Sequence, residues 1–347
     1  MAYIAPVWLP GGHAQTIYAA LAASLPRICY RRERWNTPDG DFIDLDWVVK
    51  PEALAPWFTL KNSNPPIHHA PRDEASVSGR HEADSTPLVI LFHGLEGSSR
   101  SHYARALMQS VCLRGWRGAI AHFRGCSGEI NRLARAYHSG DSAEIDWILR
   151  RLHREHAGPL FAVGVSLGGN ALLKWLGEQR GAAGVVVNAA AAVSAPVDLM
   201  ASGNALDRGF NRVYVRHFLA TMKRKARAKL ERFPGLFDGK HVVAAHSLRE
   251  FDDLVTAPLH GFRNTDDYWT RASSKPLLGH IVVPTLMINA RNDPFLPQHA
   301  LPQPHEVSPY VTLDLPAGGG HVGFVSGAFP GNLDWLPQRV LGFFAAS

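Results

Sequence analysis

Cysteine is scarce in this chain: the 347 residues contain only Cys29, Cys112 and Cys126, widely spaced and without a CxxC pair. That excludes a disulfide scaffold and fits a reducing compartment, so the cytoplasm is the expected location. Long apolar runs are also missing. Every hydrophobic stretch breaks short of the roughly 18 to 20 residues a membrane span requires. The opening MAYIAPVWLPGGHAQTIYAA lacks the basic-then-apolar order of a signal peptide. No transmembrane segment and no export signal are therefore expected. Zinc-finger, helix-turn-helix and RNA-binding signatures are absent too, which argues against a nucleic-acid partner. His68, His69 and His81 have no carboxylate or cysteine at ligand spacing, so no metal is expected.

What is present is the composition of an ordinary globular protein, 46% hydrophobic and 19% charged, long enough to bury a substantial core. Part of the net charge of +6 comes from RVYVRHFLATMKRKARAKLERF, residues 212 to 233. This reads as a solvated helix face, with attraction to an anionic lipid surface or to acidic substrates as the alternative; Lys223, Arg224 and Lys225 would carry the lipid contact.

Two strands about Pro38-Asp39-Gly40 begin the fold. Residues 51–86, rich in Pro, Ser, His and charge, read as a long surface loop. From Pro87 short apolar runs alternate with amphipathic patterns: PLVILFH, YARALMQSVCLRG, RGAIAHF, DSAEIDWILRRLHREH, PLFAVGV, GGNALLKWLGEQ and AGVVVNAA. That order predicts an α/β fold with a mostly parallel, twisted sheet covered by helices on both faces. Asp141 and Glu144 have capping-box spacing at one helix start. The sheet resumes at 281–290 and 310–315, and NLDWLPQRVLGFFAA closes it as a helix. The expected division is a core of residues 1–194 and 281–347, with 195–280 inserted as a mostly helical cap.

Gly164-Val165-Ser166-Leu167-Gly168 follows the pattern G-x-S-x-G, between a predicted strand and a predicted helix. A sharp strand-to-helix turn needs flanking residues without side chains and exposes the serine at its tip. A serine hydroxyl is a weak nucleophile and needs a base, which in turn needs an orienting acid. His321, in the Gly-rich loop after the last strand, is the candidate base. Asp293 after the strand PTLMINA is the candidate acid, with Asp198 after the preceding strand as a rival and Asn292 as a turn residue. The backbone N–H groups of Leu95, in the HGLEG loop at 93–97, and of Leu167 are the candidate oxyanion donors. His93 reads as a support of that loop.

The segments WLPGGHAQTIY (8–18), LFHGLEGSSRSHY (91–103), FRGCSGEINR (123–132), YHSGDSAEIDWIL (137–149), GVSLGGNALLKWLGE (164–178), NARNDPF (289–295) and GGGHVGF (318–324) together resemble the α/β-hydrolases of the YheT and EMB8 type. The resemblance covers nearly the whole chain. It implies an α/β-hydrolase fold, Ser166, Asp293 and His321 as catalytic residues, and hydrolysis of carboxylic esters without a cofactor. The implied partner is a small-molecule or lipid ester: short- to medium-chain acyl esters, with acylglycerol or phospholipid esters in some members. Thioesterase or amidase chemistry on the same fold, and a non-catalytic binding scaffold, are the alternatives. Arg124 reads as structural, Cys126 as packing and Trp8 as an apolar anchor beside the cap. Phe210, Tyr214, Phe218, Phe262, Tyr268 and Trp269 would line an acyl site, or simply form cap core.

Overall fold

The computed structural model describes residues 2–49, 67–69 and 85–347. Pro38-Asp39-Gly40 forms the predicted turn, with Gly40 at φ 85°, so β1 (Tyr30–Asn36) and β2 (Phe42–Val48) pair antiparallel with Tyr30 opposite Val48. A short strand the sequence reading did not contain, β3 (Ile67–His69), pairs parallel to β1 and forms one sheet edge. It corrects the reading of 51–86 as loop throughout; residues 51–66 and 70–84, His81 included, lie outside the described residues. Three residues between breakers carry too little periodicity to announce a strand.

The remaining strands are β4 (Leu88–Phe92), β5 (Arg117–His122), β6 (Leu160–Val165), β7 (Ala189–Val193), β8 (Thr285–Ile288) and β9 (Val311–Asp314). The sheet order is β3-β1-β2-β5-β4-β6-β7-β8-β9, parallel from β5 to β9. Alternate residues of β4 feed the two faces. Leu88, Ile90 and Phe92 join a core with α3 (Ser142–Glu155) and α4 (Leu167–Gln179). Val89 and Leu91 join one with α2 (His102–Leu113) and the closing helix (Trp335–Phe344). Burial on both faces is why these strands are apolar at every position.

Two expectations need correction. The run AGVVVNAA, residues 183–190, enters a strand only at its end: its valines fall in and around α5 (Ala183–Val186), and β7 begins at its last two alanines, Ala189 and Ala190. Alanine has low strand propensity, but a central strand packed on both faces is set by tertiary context. The capping box at α3 does not close either. Asp141 instead pairs with Arg135 at 2.6 Å and Glu144 with Arg124 at 2.7 Å. Arg124 also meets Asp41 and Asp39, so it serves a buried carboxylate cluster.

From β4 the chain moves outward to β5, then returns past β4 to β6. The carboxyl ends of β4 and β6 are therefore a switch point, where loops leave in opposite directions and open a crevice. Helix α1 (Gly12–Leu21) precedes the sheet. Between β7 and β8 the described elements are helical: α6 (Leu199–Leu206), α7 (Arg212–Arg232), α8 (Gly239–Ala244), α9 (Leu248–Phe251), α10 (Ala257–Leu259) and α11 (Thr265–Ala272). They share an apolar core of their own, including Val215, Leu219, Phe251 and Trp269. No helix among the described residues is long and apolar enough to cross a membrane.

Candidate active site

Ser166 stands between β6 and α4 at φ 51°, ψ −120°, a backbone conformation that costs a non-glycine residue on the order of 1–3 kcal/mol. The flanking glycines are what let the turn exist. A Cβ on Gly164 would lie 2.5 Å from the Gly168 carbonyl oxygen, and one on Gly168 would overlap the carbonyl oxygen of Phe92. The turn thus lodges against the end of β4, where a Cβ on Gly94 would lie 3.1 Å from Ser166 Cβ. The HGLEG loop and the serine are neighbours, as the switch point requires.

His321 Nε2 lies 3.0 Å from Ser166 Oγ, and His321 Nδ1 lies 2.8 Å from Asp293 Oδ2. An ionised carboxylate only accepts, so the Asp293 contact puts the proton on Nδ1 and turns the Nε2 lone pair to the serine hydroxyl. The Asp293 side chain is buried, with Oδ1 receiving the N–H of Phe295 at 2.8 Å. The Phe295 ring tilts over the imidazole at 4.2 Å between centroids. The rival Asp198 is elsewhere engaged: it caps α6 by accepting the Ala201 N–H.

Among the described residues, neither Leu95 N–H nor Leu167 N–H donates to another protein group. Their neighbours are fixed. Gly94 N–H donates to the Tyr103 hydroxyl at 2.9 Å, and Glu96 N–H to the Tyr137 hydroxyl at 3.0 Å. Tyr137 returns a hydrogen bond to Glu96 Oε1 at 2.8 Å, and Lys225 of α7 binds the same oxygen at 2.8 Å. Lys225 Nζ also lies 3.2 Å from Cys126 Sγ. The free thiol is held up at about 11 by burial. His93 is fully buried, donates from Nδ1 to the Gly94 carbonyl and accepts the Phe123 N–H at Nε2. Burial pushes its pKa down to about 3, so it stays neutral and braces the loop.

The basic stretch reads differently in three dimensions. Lys225 faces inward to Glu96, Lys229 is buried on the carbonyls of Leu133 and Arg135, and Lys223 binds the carbonyls of Val243 and Ala245. Arg212, Arg216, Arg224 and Arg227 are exposed, as is Arg232, which donates to the carbonyls of Ile130 and Asn131. No pattern in the chain announces this inward turn, because basic residues fall on all sides of the helix.

Sequence reasoning also missed the supports of His321. Gln15 and Thr16, in a segment with no derivable chemistry, and Asn292, read as a turn residue, all bond to the loop that bears the histidine. Trp8 packs against Tyr18 and Phe329, at the outer side of α1.

A cavity of about 740 Å³ opens on Ser166 and His321, with Leu95 and Leu167 in its wall. Its lining is mainly apolar and includes Leu199, Leu206, Met222, Leu248, Phe251 and Val255. Of the six aromatic residues expected there, Tyr214, Phe218, Tyr268 and Trp269 line it; Phe262 packs in the helical core and Phe210 is half exposed. No cluster of three or more metal-ligating side chains occurs among the described residues.

A switch-point crevice with a serine turn, and a histidine on the loop after the last strand, is the architecture of the α/β hydrolases. The protein-family model described as alpha/beta hydrolase fold matches residues 87–328. The putative esterase YheT of Escherichia coli strain K12 is 39% identical over 331 residues, 92% of this chain and 88% of that protein. Phospholipase ABHD3 of Mus musculus is 30% identical over 99% of this chain and 78% of its own length. The chain belongs to the α/β-hydrolase family, in the branch that contains YheT. Among solved structures, the Pyrococcus furiosus esterase Pf2001 superposes with a TM-score of 0.52 at 14% identity, covering 93% of this chain and 99% of that one, a likeness of fold.

Proposed function

We propose that the protein is a serine hydrolase that cleaves carboxylic esters through an acyl-enzyme. Ser166 Oγ attacks the acyl carbonyl while His321 Nε2 takes its proton; Asp293 holds the imidazole tautomer and stabilises the imidazolium. The Leu95 and Leu167 N–H groups receive the oxyanion, aided by the positive end of α4. His321 returns the proton to the leaving alcohol, and water then releases the acid by the same steps in reverse. The observation that carries this reading is the unbroken chain Ser166 Oγ, His321 Nε2, His321 Nδ1, Asp293 Oδ2, with contacts of 3.0 and 2.8 Å. The names of the relatives, esterase and phospholipase, agree with it.

In this reading residues 1–194 and 281–347 are the catalytic core and 195–280 are a helical cap. The apolar cavity between them accepts the acyl chain of a short- to medium-chain ester, including one presented by an acylglycerol or phospholipid. The exposed arginines of α7, a helix whose Val213, Phe218 and Met222 line the cavity, suit peripheral contact with an anionic lipid surface. The reading is tested by fluorophosphonate labelling of the wild type and of Ser166→Ala, mapped by mass spectrometry. An adduct on Ser166, absent from the variant, is expected. Folded wild-type protein that takes no label would sink the reading.

A further inference from the structure

Four consecutive backbone N–H groups of the loop bearing His321 are each received by a side-chain oxygen. Gly319 donates to Gln15 Oε1 at 2.7 Å, Gly320 to Asn292 Oδ1 at 3.0 Å, His321 to Thr16 Oγ1 at 2.8 Å and Val322 to Ser194 Oγ at 3.1 Å. The acceptors come from α1, from the loop after β8 and from the turn after β7. They are themselves anchored: Gln15 Nε2 donates to the Leu9 carbonyl at 3.0 Å, and the Thr16 hydroxyl to the Gly12 carbonyl at 2.7 Å. Gln15 Oε1 also receives Asn292 Nδ2 at 3.1 Å. Asn292 adjoins Asp293 in the chain, so the Gln15 amide touches both the loop of the acid and the loop of the base.

The loop needs such help. Gly319, Gly320, Val322 and Phe324 all have positive φ, at 137°, 60°, 56° and 41°, and the last two are not glycine. Backbone in this region persists only where the surroundings over-determine it. Sterics add to the fit. A Cβ on Gly320 would lie 2.6 Å from the Gly12 carbonyl oxygen, and one on Gly12 would overlap the carbonyl oxygen of Asn292. Gln15 is 2% exposed, so its acceptor has no solvent substitute.

We infer that Gln15, with Thr16 and Asn292, is a positioning residue of the active site: the Gly12–Thr16 segment sets the distance and angle at which His321 meets Asp293 and Ser166. This rests on the catalytic reading of those three residues and extends it to a segment that meets none of the reacting atoms in that mechanism; Thr16 reaches the cavity wall and Gln15 does not. Losing a group that acts only by aligning the base slows the chemical step and leaves substrate binding alone.

The test compares wild type with Gln15→Met, Thr16→Val and Thr16→Ser, all near in volume to the residues they replace. Two readouts are taken: steady-state hydrolysis of p-nitrophenyl butyrate, and amide hydrogen exchange by mass spectrometry. For Gln15→Met and Thr16→Val the expected result is a kcat about 10- to 100-fold lower, because buried amides lose their acceptors. KM stays close to wild type, and Thr16→Ser recovers most of the rate. Peptide 317–324 exchanges faster, while peptides from β4 and β6 do not change. Wild-type kcat in both variants overturns the inference, and so does a loss that Thr16→Ser fails to restore. Unchanged exchange in 317–324 for Gln15→Met overturns it whatever the activity. If wild type takes no fluorophosphonate label, the catalytic reading fails on its own account, and the exchange result still decides whether this segment holds the loop.

Discussion

Lys225→Met tests whether the helices outside the sheet help to shape the loop proposed to receive the oxyanion. The Lys225 ammonium sits 2.8 Å from Glu96 Oε1, with the two side chains 26% and 9% exposed. Glu96 follows Leu95 directly and is itself held at φ 56°. Removing one partner of a fully buried ion pair costs about 3–5 kcal/mol. Here a quarter of the lysine side chain is wetted and Tyr137 still donates to the carboxylate, so about 1–3 kcal/mol is the expected loss. Part of it appears as a lower urea midpoint. Part appears as looseness in the loop that presents Leu95 N–H, where losing an oxyanion donor outright costs about 100- to 1000-fold in kcat. A displaced donor is milder than an absent one, so kcat should fall about tenfold. The assay is p-nitrophenyl ester hydrolysis alongside urea unfolding, for Lys225→Met, Glu96→Gln and the pair. Removing both charges leaves no buried ion unpaired, so the double variant should recover most of the midpoint lost in Lys225→Met. Wild-type rate and midpoint in Lys225→Met would refute the reasoning, as would a double variant as impaired as the sum of the singles.

Asp293→Asn should reduce kcat by about 10⁴-fold with little change in the urea midpoint, because an amide no longer enforces the Nδ1–H tautomer; a loss under about tenfold contradicts the assigned acid. Acid should destabilise the fold through its buried histidines. Burial lowers His93 to about 3 and His102 to about 4, against an ordinary value near 6.5. Between pH 6.5 and 4 the unfolded chain binds protons there that the native chain refuses, so this stability is complete above 6.5 and is lost as pH falls, by up to about 1.4 kcal/mol per pH unit for each. Urea midpoints at pH 7.5 and 5 check this, and His102→Gln should flatten the slope. Replacing Arg212, Arg216, Arg224 and Arg227 by Gln should abolish co-sedimentation with phosphatidylglycerol vesicles while leaving hydrolysis of a soluble ester intact; a wild type that does not sediment with them removes the lipid-surface reading.

The serine turn was legible because its geometry leaves no choice at Gly164 and Gly168, where any Cβ meets backbone. Such constraints are local, and local constraints write themselves into short motifs. The acid was less determined: Asp293 and Asp198 both follow a strand, and it takes the contact of Asp293 with His321, against the use of Asp198 as a helix cap, to separate them. Tertiary context erased other signals. A valine run became helix beside an alanine strand, and two carboxylates at capping-box spacing turned to arginines instead. The inward face of α7 and the role of Gln15 depend on contacts between distant segments, and no periodicity in the chain reports those.

Gln15 and Gly319 are 304 positions apart and yet share a hydrogen bond. At the ~5–20 residues per second of protein synthesis, α1 leaves the ribosome some tens of seconds before its acceptor groups can be claimed. Ser166 and the first six strands of the parallel and antiparallel sheet emerge well before the histidine loop does. On the proposed mechanism, a nascent chain that has exposed Ser166 still lacks its base, because His321 lies 155 positions further on. On that mechanism, ester cleavage begins only once the Gly12–Thr16 segment and the loop of His321 have closed on each other.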